Sequence, residues 1–226
     1  MAHRHMVLNP NNLKLKFTDP DWTDNFVLNE IDKDYCFDDL NLGPGDLVVD
    51  VGAHTGVVSM TLAKKYGCSV QSYEPAPFNF DRLVKNVVLN NLQHLILPFN
   101  LAVTKDGRDV TIGDNPLNWG GNNIYGGGTP VRSTTLKDII TGPVSLLKID
   151  AEQAEFEILE DLAPLKWVKA IRGEFHGHKT GDIEALLAHV LKAVPNTRVI
   201  MHKSWALRNA EQEQRRVLNA RKGITT

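Results

Sequence analysis

Three groups of residues in this sequence have types and spacings that could do chemistry. The first is Asp50-Val51-Gly52-Ala53-His54-Thr55-Gly56, two glycines four positions apart around a histidine. Glycines let the backbone approach a ligand closely, and the first amides of a following helix are donors without a helical partner. A dinucleotide fingerprint needs Gly-x-Gly-x-x-Gly to seat a pyrophosphate. With Ala53 and His54 in the interval, this loop suits a ligand that carries a nucleoside and an amino-acid tail but no phosphate. The second group is Glu74, 22 positions beyond Gly52, a carboxylate able to accept both hydroxyls of a ribose. The third is Asp150 and Glu152, joined by Glu174, His176 and His178. Such acids and imidazoles can align a nucleophilic acceptor and take its proton. A divalent metal on Asp150, Glu174 and His176 is chemically allowed by the mixed oxygen and nitrogen donors, but a metal-free site is the expectation.

These groups act together only if secondary structure brings them to one edge. Leu47–Val51 is an apolar run suited to a strand buried on both faces. Residues 57–66 then show helical spacing that stops at Gly67. A strand at 69–73 leads into Glu74, and 79–92 reads as a helix. Residues 94–98 and 101–103 read as strands, 133–140 as an amphipathic element and 145–149 as a strand. A helix over 152–162, a strand over 168–175, a helix over 182–194 and a strand over 197–201 follow, with a closing strand or a helix around 216–220. Strand–helix alternation of this kind predicts an α/β fold: a doubly wound, Rossmann-like sheet of seven mostly parallel strands, the last antiparallel. Its carboxyl edge is where α/β sites form, and all three groups fall at strand ends.

Two segments stand outside this alternation. Residues 1–40 are polar and mixed, with Phe17, Trp22, Phe26, Tyr35 and Phe37 as aromatic punctuation and a short helix expected over 25–31. They read as a cap on the edge of one domain spanning 41–226. Met1–Met6 has no apolar stretch after its basic residues, so no secretory leader is expected, and it is set apart from the fold. Residues 114–130, rich in asparagine and glycine around Trp119 and Tyr125, read as a surface loop able to close over an acceptor. Glu155 and Glu157 read as surface positions.

Lysine and arginine number 25 against 27 aspartates and glutamates, a formal charge of −2, which gives no reason to expect a nucleic-acid partner. No apolar run is long enough to span a membrane. Cys36 and Cys68 have no finger-like spacing, so a disulfide framework is not expected and a reducing, cytoplasmic compartment is.

The sequence also resembles a known family. Asp50 to Gly56, Tyr73-Glu74-Pro75 and Leu146-Leu147-Lys148-Ile149-Asp150-Ala151-Glu152-Gln153-Ala154-Glu155 are similar to the motifs of FkbM-type class I methyltransferases. Lys85-Asn86-Val87, Leu89-Asn90, Leu101-Ala102-Val103 and Ser133-Thr134-Thr135-Leu136 fit as well. The resemblance implies S-adenosylmethionine as methyl donor and O-methylation of a hydroxyl on a small molecule, sugar or other glycan, or natural product. It would place Asp50, Gly52, Ala53, His54, Thr55 and Gly56 around the methionine portion, Glu74 on the ribose, and Leu101 and Ala102 beside the adenine. Asp150, Glu152, Glu174 and His176 would face the acceptor. One departure is Gln153, where the family usually has glycine. It keeps open a non-catalytic nucleoside-binding module; a nucleotide-dependent oxidoreductase is disfavoured by the missing third glycine.

Overall fold

The structure is a computed structural model that describes residues 5–8, 13–18, 31, 35–113, 128–177 and 182–202. Its centre is a six-stranded sheet of β3 (Leu47–Val51), β4 (Ser69–Tyr73), β5 (Ile96–Phe99), β10 (Leu146–Ile149), β11 (Ile171–His176) and β12 (Thr197–His202), in the order β12-β11-β10-β3-β4-β5. Every neighbouring pair is parallel. The α/β expectation holds with six strands among the described residues rather than seven. The antiparallel closing strand looked for near 216–220 lies outside them.

From β3 the chain winds one way through helices α1 (Val57–Tyr66) and α2 (Pro77–Leu89), and from β10 the other way through α4 (Glu155–Ile158) and α5 (Ile183–Ala193). Right-handed crossovers in opposite directions put the two helix sets on opposite faces. The buried residues divide accordingly. Val48, Val70 and Leu146 pack with Val58, Met60, Leu62, Leu83 and Val87 on one face. Val49, Leu147, Ile149, Ile171 and Phe175 pack with Ile158, Val190 and Val194 on the other. The direction of winding reverses between β3 and β10, and there the loops at the carboxyl ends of both strands splay apart to leave a crevice.

Before the sheet, β1 (His5–Leu8) pairs antiparallel with β2 (Leu15–Thr18), so Met1–Met6 is not wholly apart from the fold. Leu15, Phe17, Ile31, Tyr35 and Phe37 join the core on the α1/α2 face, and Asn86 of α2 and Asn90, its C-cap, accept from the backbone of Thr18 and Lys16. Trp22, Phe26 and most of the helix expected over 25–31 lie outside the described residues.

The 101–103 segment is not a strand of the main sheet. Its β6 (Ala102–Val103) pairs instead with β9 (Ser133–Thr134), next to helix α3 (Leu136–Ile139). A hairpin of β7 (Val110–Gly113) and β8 (Gly128–Val131) takes in the end of the stretch read as a loop. Residues 114–127, with Trp119 and Tyr125, lie outside the described residues. Among the described residues, no helix is long and apolar enough to cross a membrane.

The helix predicted over 152–162 contracts to the single turn α4, followed by a 3-10 helix at Ala163–Trp167. Glu152 and Gln153 sit at φ 48° and 81°, in the left-handed region, and cannot start a right-handed helix.

Candidate active site

A row of side chains crosses the middle of the sheet. Arg172, Lys148, Asp50 and Ser72 are successive register partners on β11, β10, β3 and β4. Register partners in a parallel sheet share a face, so a buried lysine meets a buried aspartate side by side. The Lys148 ammonium donates to the Gly52 carbonyl at 2.7 Å and lies 3.3 Å from Asp50 Oδ1 and 3.7 Å from Asp150 Oδ2. Burial opposes its charge, but Asp50 and Asp150 outweigh that and raise its pKa. Asp50 Oδ2 accepts from the Ser59 hydroxyl at 2.5 Å, and the Ser59 and Ser72 hydroxyls are 2.7 Å apart. Asp50 is fully buried, so it shapes the glycine loop from beneath.

The loop itself is held on three sides. Gly52 and Ala53 N–H both donate to the Tyr73 carbonyl at 3.0 Å, and His54 N–H donates to Glu74 Oε2 at 2.8 Å. Asn86 donates to the Thr55 carbonyl at 2.9 Å. Gly52, His54 and Gly56 all have positive φ. A Cβ on Gly52 would stand 1.8 Å from the Asp150 carbonyl oxygen. The β3 loop and the end of β10 therefore touch backbone to backbone, and glycine at 52 is required by that contact before any ligand is considered.

Glu74 closes the next strand. Its Oε1 accepts from Ala76 N–H at 2.9 Å, and Asn79 adds a side-chain hydrogen bond. Burial pushes its pKa up to about 7, against the opposing pull of these donors and Lys148. Asn100 ties the end of β5 to the Glu74 and Pro75 carbonyls at 2.9 and 3.0 Å, which sets Leu101 and Ala102 beside Glu74 in the chain path.

Asp150, Glu152, Glu174 and His176 do come together. The His176 Nε2 lies 3.8 Å from Glu152 Oε2 and 3.8 Å from Glu174 Oε2. Those gaps are too long for direct hydrogen bonds and short enough for one oxygen atom to bridge. Burial raises Asp150 to about 6, with Lys148 opposing and Glu174 adding. Burial also raises Glu152 to about 7, with His176 opposing. Burial works against a charged His176, yet its hydrogen bond to Glu155 and the surrounding carboxylates take the imidazole up to about 9. Asp150, Glu152 and His176 each offer one ligand atom, all within 4.8 Å of one another, so they are the residues that could hold a metal.

Four residues in or beside this site stand apart from the expectations drawn from sequence. Glu155, expected at the surface, is fully buried and accepts from His176 Nδ1 at 3.0 Å; the positive φ at 152 and 153 turns α4 so that this face points inward. Glu157 is partly covered and pairs with Arg108 at 2.7 Å. Lys148 belongs to the motif at 146–155, and a charge inside an apolar strand is itself a signal of a buried partner. Tyr35, placed in the cap, is buried and donates to Glu174 Oε1 at 3.2 Å. His178 lies outside the described residues.

A model of the methyltransferase FkbM domain matches residues 50–198, well over half of the chain. The chain belongs to the FkbM methyltransferase family. The matched span opens on Asp50 and takes in Glu74, Lys148, the acid cluster and His176. Methyltransferase sdnD of Sordaria araneosa is 37% identical over 67 residues, 29% of this chain and 26% of that protein. A tRNA (guanine(37)-N(1))-methyltransferase of Batrachochytrium dendrobatidis is 39% identical over 66 residues, 29% of this chain and 13% of that protein. The match thus spans about a quarter of the one relative and less of the other. Among solved structures, a Clostridium thermocellum protein described as an rRNA methylase aligns at 15% identity with a TM-score of 0.42, over 71% of this chain and 80% of that one.

Proposed function

We propose that this chain transfers the methyl group of S-adenosylmethionine to a hydroxyl oxygen of a small molecule, sugar or natural product. The observation that carries the reading is the meeting, at the reversal point between β3 and β10, of a glycine loop with a carboxylate–imidazole cluster. The donor set fits a methyl donor of this kind. Asp50, Glu74, Asp150, Glu152, Glu155 and Glu174 gather around Lys148 and His176, and both cations are already paired with carboxylates. Such an excess of acid favours a ligand with positive charge at its centre and disfavours a phosphate.

When bound, the donor supplies an electrophilic methyl carbon on a sulfonium. The chain's own residues do the rest. Gly52, Ala53, His54, Thr55 and Gly56 wall the methionine side, and Leu101 and Ala102 the adenine side. A carboxylate has about four acceptor positions, and His54, Ala76 and Asn79 occupy three on Glu74. Glu74 therefore offers the ribose one further hydrogen bond. The acceptor hydroxyl enters the gap between His176 Nε2 and the Glu152 and Glu174 carboxylates, which orient it and receive its proton. Asp150, between Lys148 and this gap, sets the local field.

Calorimetric titration with S-adenosylhomocysteine, followed by turnover with pooled sugar, polyketide and peptide hydroxyls, tests the proposal. Saturable binding and methylated hydroxyl products are expected. Methylation confined to amines would overturn the oxygen assignment, and binding without any turnover would assign the chain as a non-catalytic nucleoside-binding module. Absence of binding overturns the reading altogether.

A further inference from the structure

Glu155 is a glutamate with no counterpart in the catalytic roles above, yet it is among the most completely buried charged residues described. Its Oε1 lies 3.0 Å from the Ala151 N–H donor and 3.0 Å from His176 Nδ1, and its Oε2 lies 3.4 Å from the His176 backbone N–H. One carboxylate thereby joins the turn after β10 to the end of β11. A carboxylate has only acceptor positions, so the imidazole nitrogen facing it must carry a proton. The other nitrogen, Nε2, then points at the gap bounded by Glu152 Oε2 and Glu174 Oε2. Two buried anchors on the carboxylate and one on the ring leave little rotational freedom.

We propose that Glu155 is the positioning residue of this site: it holds the Nδ1 proton of His176 and so presents Nε2 to the acceptor. The identity of what Nε2 meets rests on the proposed methyl transfer; the tautomer does not. The charged groups facing the ring are Glu155 from α4, Asp150 and Glu152 from the turn after β10, and Glu174 from β11 itself, the last steadied by Tyr35. Glu155 makes the closest of these contacts, at 3.0 Å from Nδ1.

Nitrogen-15 NMR of histidine-labelled protein tests this directly. In the unmodified chain, the neutral ring should carry its proton on Nδ1, facing Glu155, and none on Nε2. Glu155→Gln retains an acceptor for both Nδ1–H and Ala151 N–H, so it should fold. It should let the Nε2-protonated tautomer appear in the neutral ring and lower kcat for methyl transfer about tenfold, with KM for the donor unchanged. A role in stability alone would lower the melting temperature and leave the tautomer and kcat in place. A neutral ring protonated on Nε2 in the unmodified chain overturns the proposal without any variant. Failure to find turnover with any acceptor would remove the methyl-transfer reading and leave the tautomer result standing.

Discussion

Lys148 reaches from β10 to the carbonyl of Gly52 while standing against Asp50, so one ammonium both neutralises the buried acid of β3 and pins the glycine loop. Breaking a buried ion pair on one side strands the other charge. Lys148→Met should therefore cost roughly 3–5 kcal/mol in urea unfolding, and Lys148→Met with Asp50→Asn should recover a large part. A single variant as stable as the parent would show that the pairing of Lys148 with Asp50 carries no stability.

Gly52 and Gly56 have similar φ, 78° and 88°, but different neighbours. A Cβ at Gly52 meets the Asp150 carbonyl at 1.8 Å, and one at Gly56 meets the Leu83 Cδ1 at 2.4 Å. Backbone cannot yield as a methyl group can. Gly52→Ala should destabilise by well over the ~1–2 kcal/mol of left-handed strain alone. Gly56→Ala should lie nearer that figure, and a Leu83→Ala background should reduce its steric share. Equal unfolding costs at the two sites would contradict the close approach of β3 and β10.

Glu74 predicts a pH dependence with a definite sign. Its carboxyl rises from an ordinary 4.5 to about 7 in the folded chain, so the folded state holds the proton more tightly than the unfolded one. Stability is fullest below pH 4.5 on this account, falls as pH rises to about 7, and then levels. Glu74→Gln should lose that slope, and the difference between the two denaturation curves across the window measures it. A parallel pair of curves would show that Glu74 stays ionised.

The same residue sets an expectation for binding. Glu74→Gln should weaken S-adenosylhomocysteine by roughly 1–3 kcal/mol, the scale for hydrogen bonds to charged groups, with the far-ultraviolet spectrum unchanged. Unaltered affinity by calorimetry would place the ribose elsewhere.

Gln153 occupies a left-handed position at φ 81°, where glycine carries no steric cost. Relief of about 1–3 kcal/mol of strain, set against up to about 1 kcal/mol of added unfolded-state entropy, gives a net gain near 1 kcal/mol for Gln153→Gly. A higher urea midpoint with unchanged donor affinity is expected. A lower midpoint would mean that the glutamine side chain is itself a stabilising contact.

Much of this protein was legible one segment at a time. Apolar runs bounded by turns and period-3.6 spacing marked β3, α1, β4, α2 and β11 within a few residues, because buried strands and amphipathic helices leave local traces. The glycine loop and Glu74 were visible for the same reason: a turn and a strand end are defined by near neighbours in the chain. The acids at 150, 152 and 174 with His176 were likewise grouped correctly, since strand ends in a parallel sheet share an edge.

What tertiary structure alone decided is which polar group faces which. Register places Lys148 against Asp50 across a strand boundary, and no spacing within either segment encodes that pairing. Glu155 and Glu157, two positions apart on one short helix, part into a fully buried anchor of His176 and a partly covered partner of Arg108, because the left-handed residues at 152 and 153 rotate α4 before it begins. Gly52 looks in sequence like room for a ligand, yet the nearest atom belongs to Asp150, nearly a hundred residues away. Local patterning specifies elements through backbone and burial preferences. The protonation and orientation of a site depend on distances of a few ångströms between elements, and those exist only once the sheet has formed.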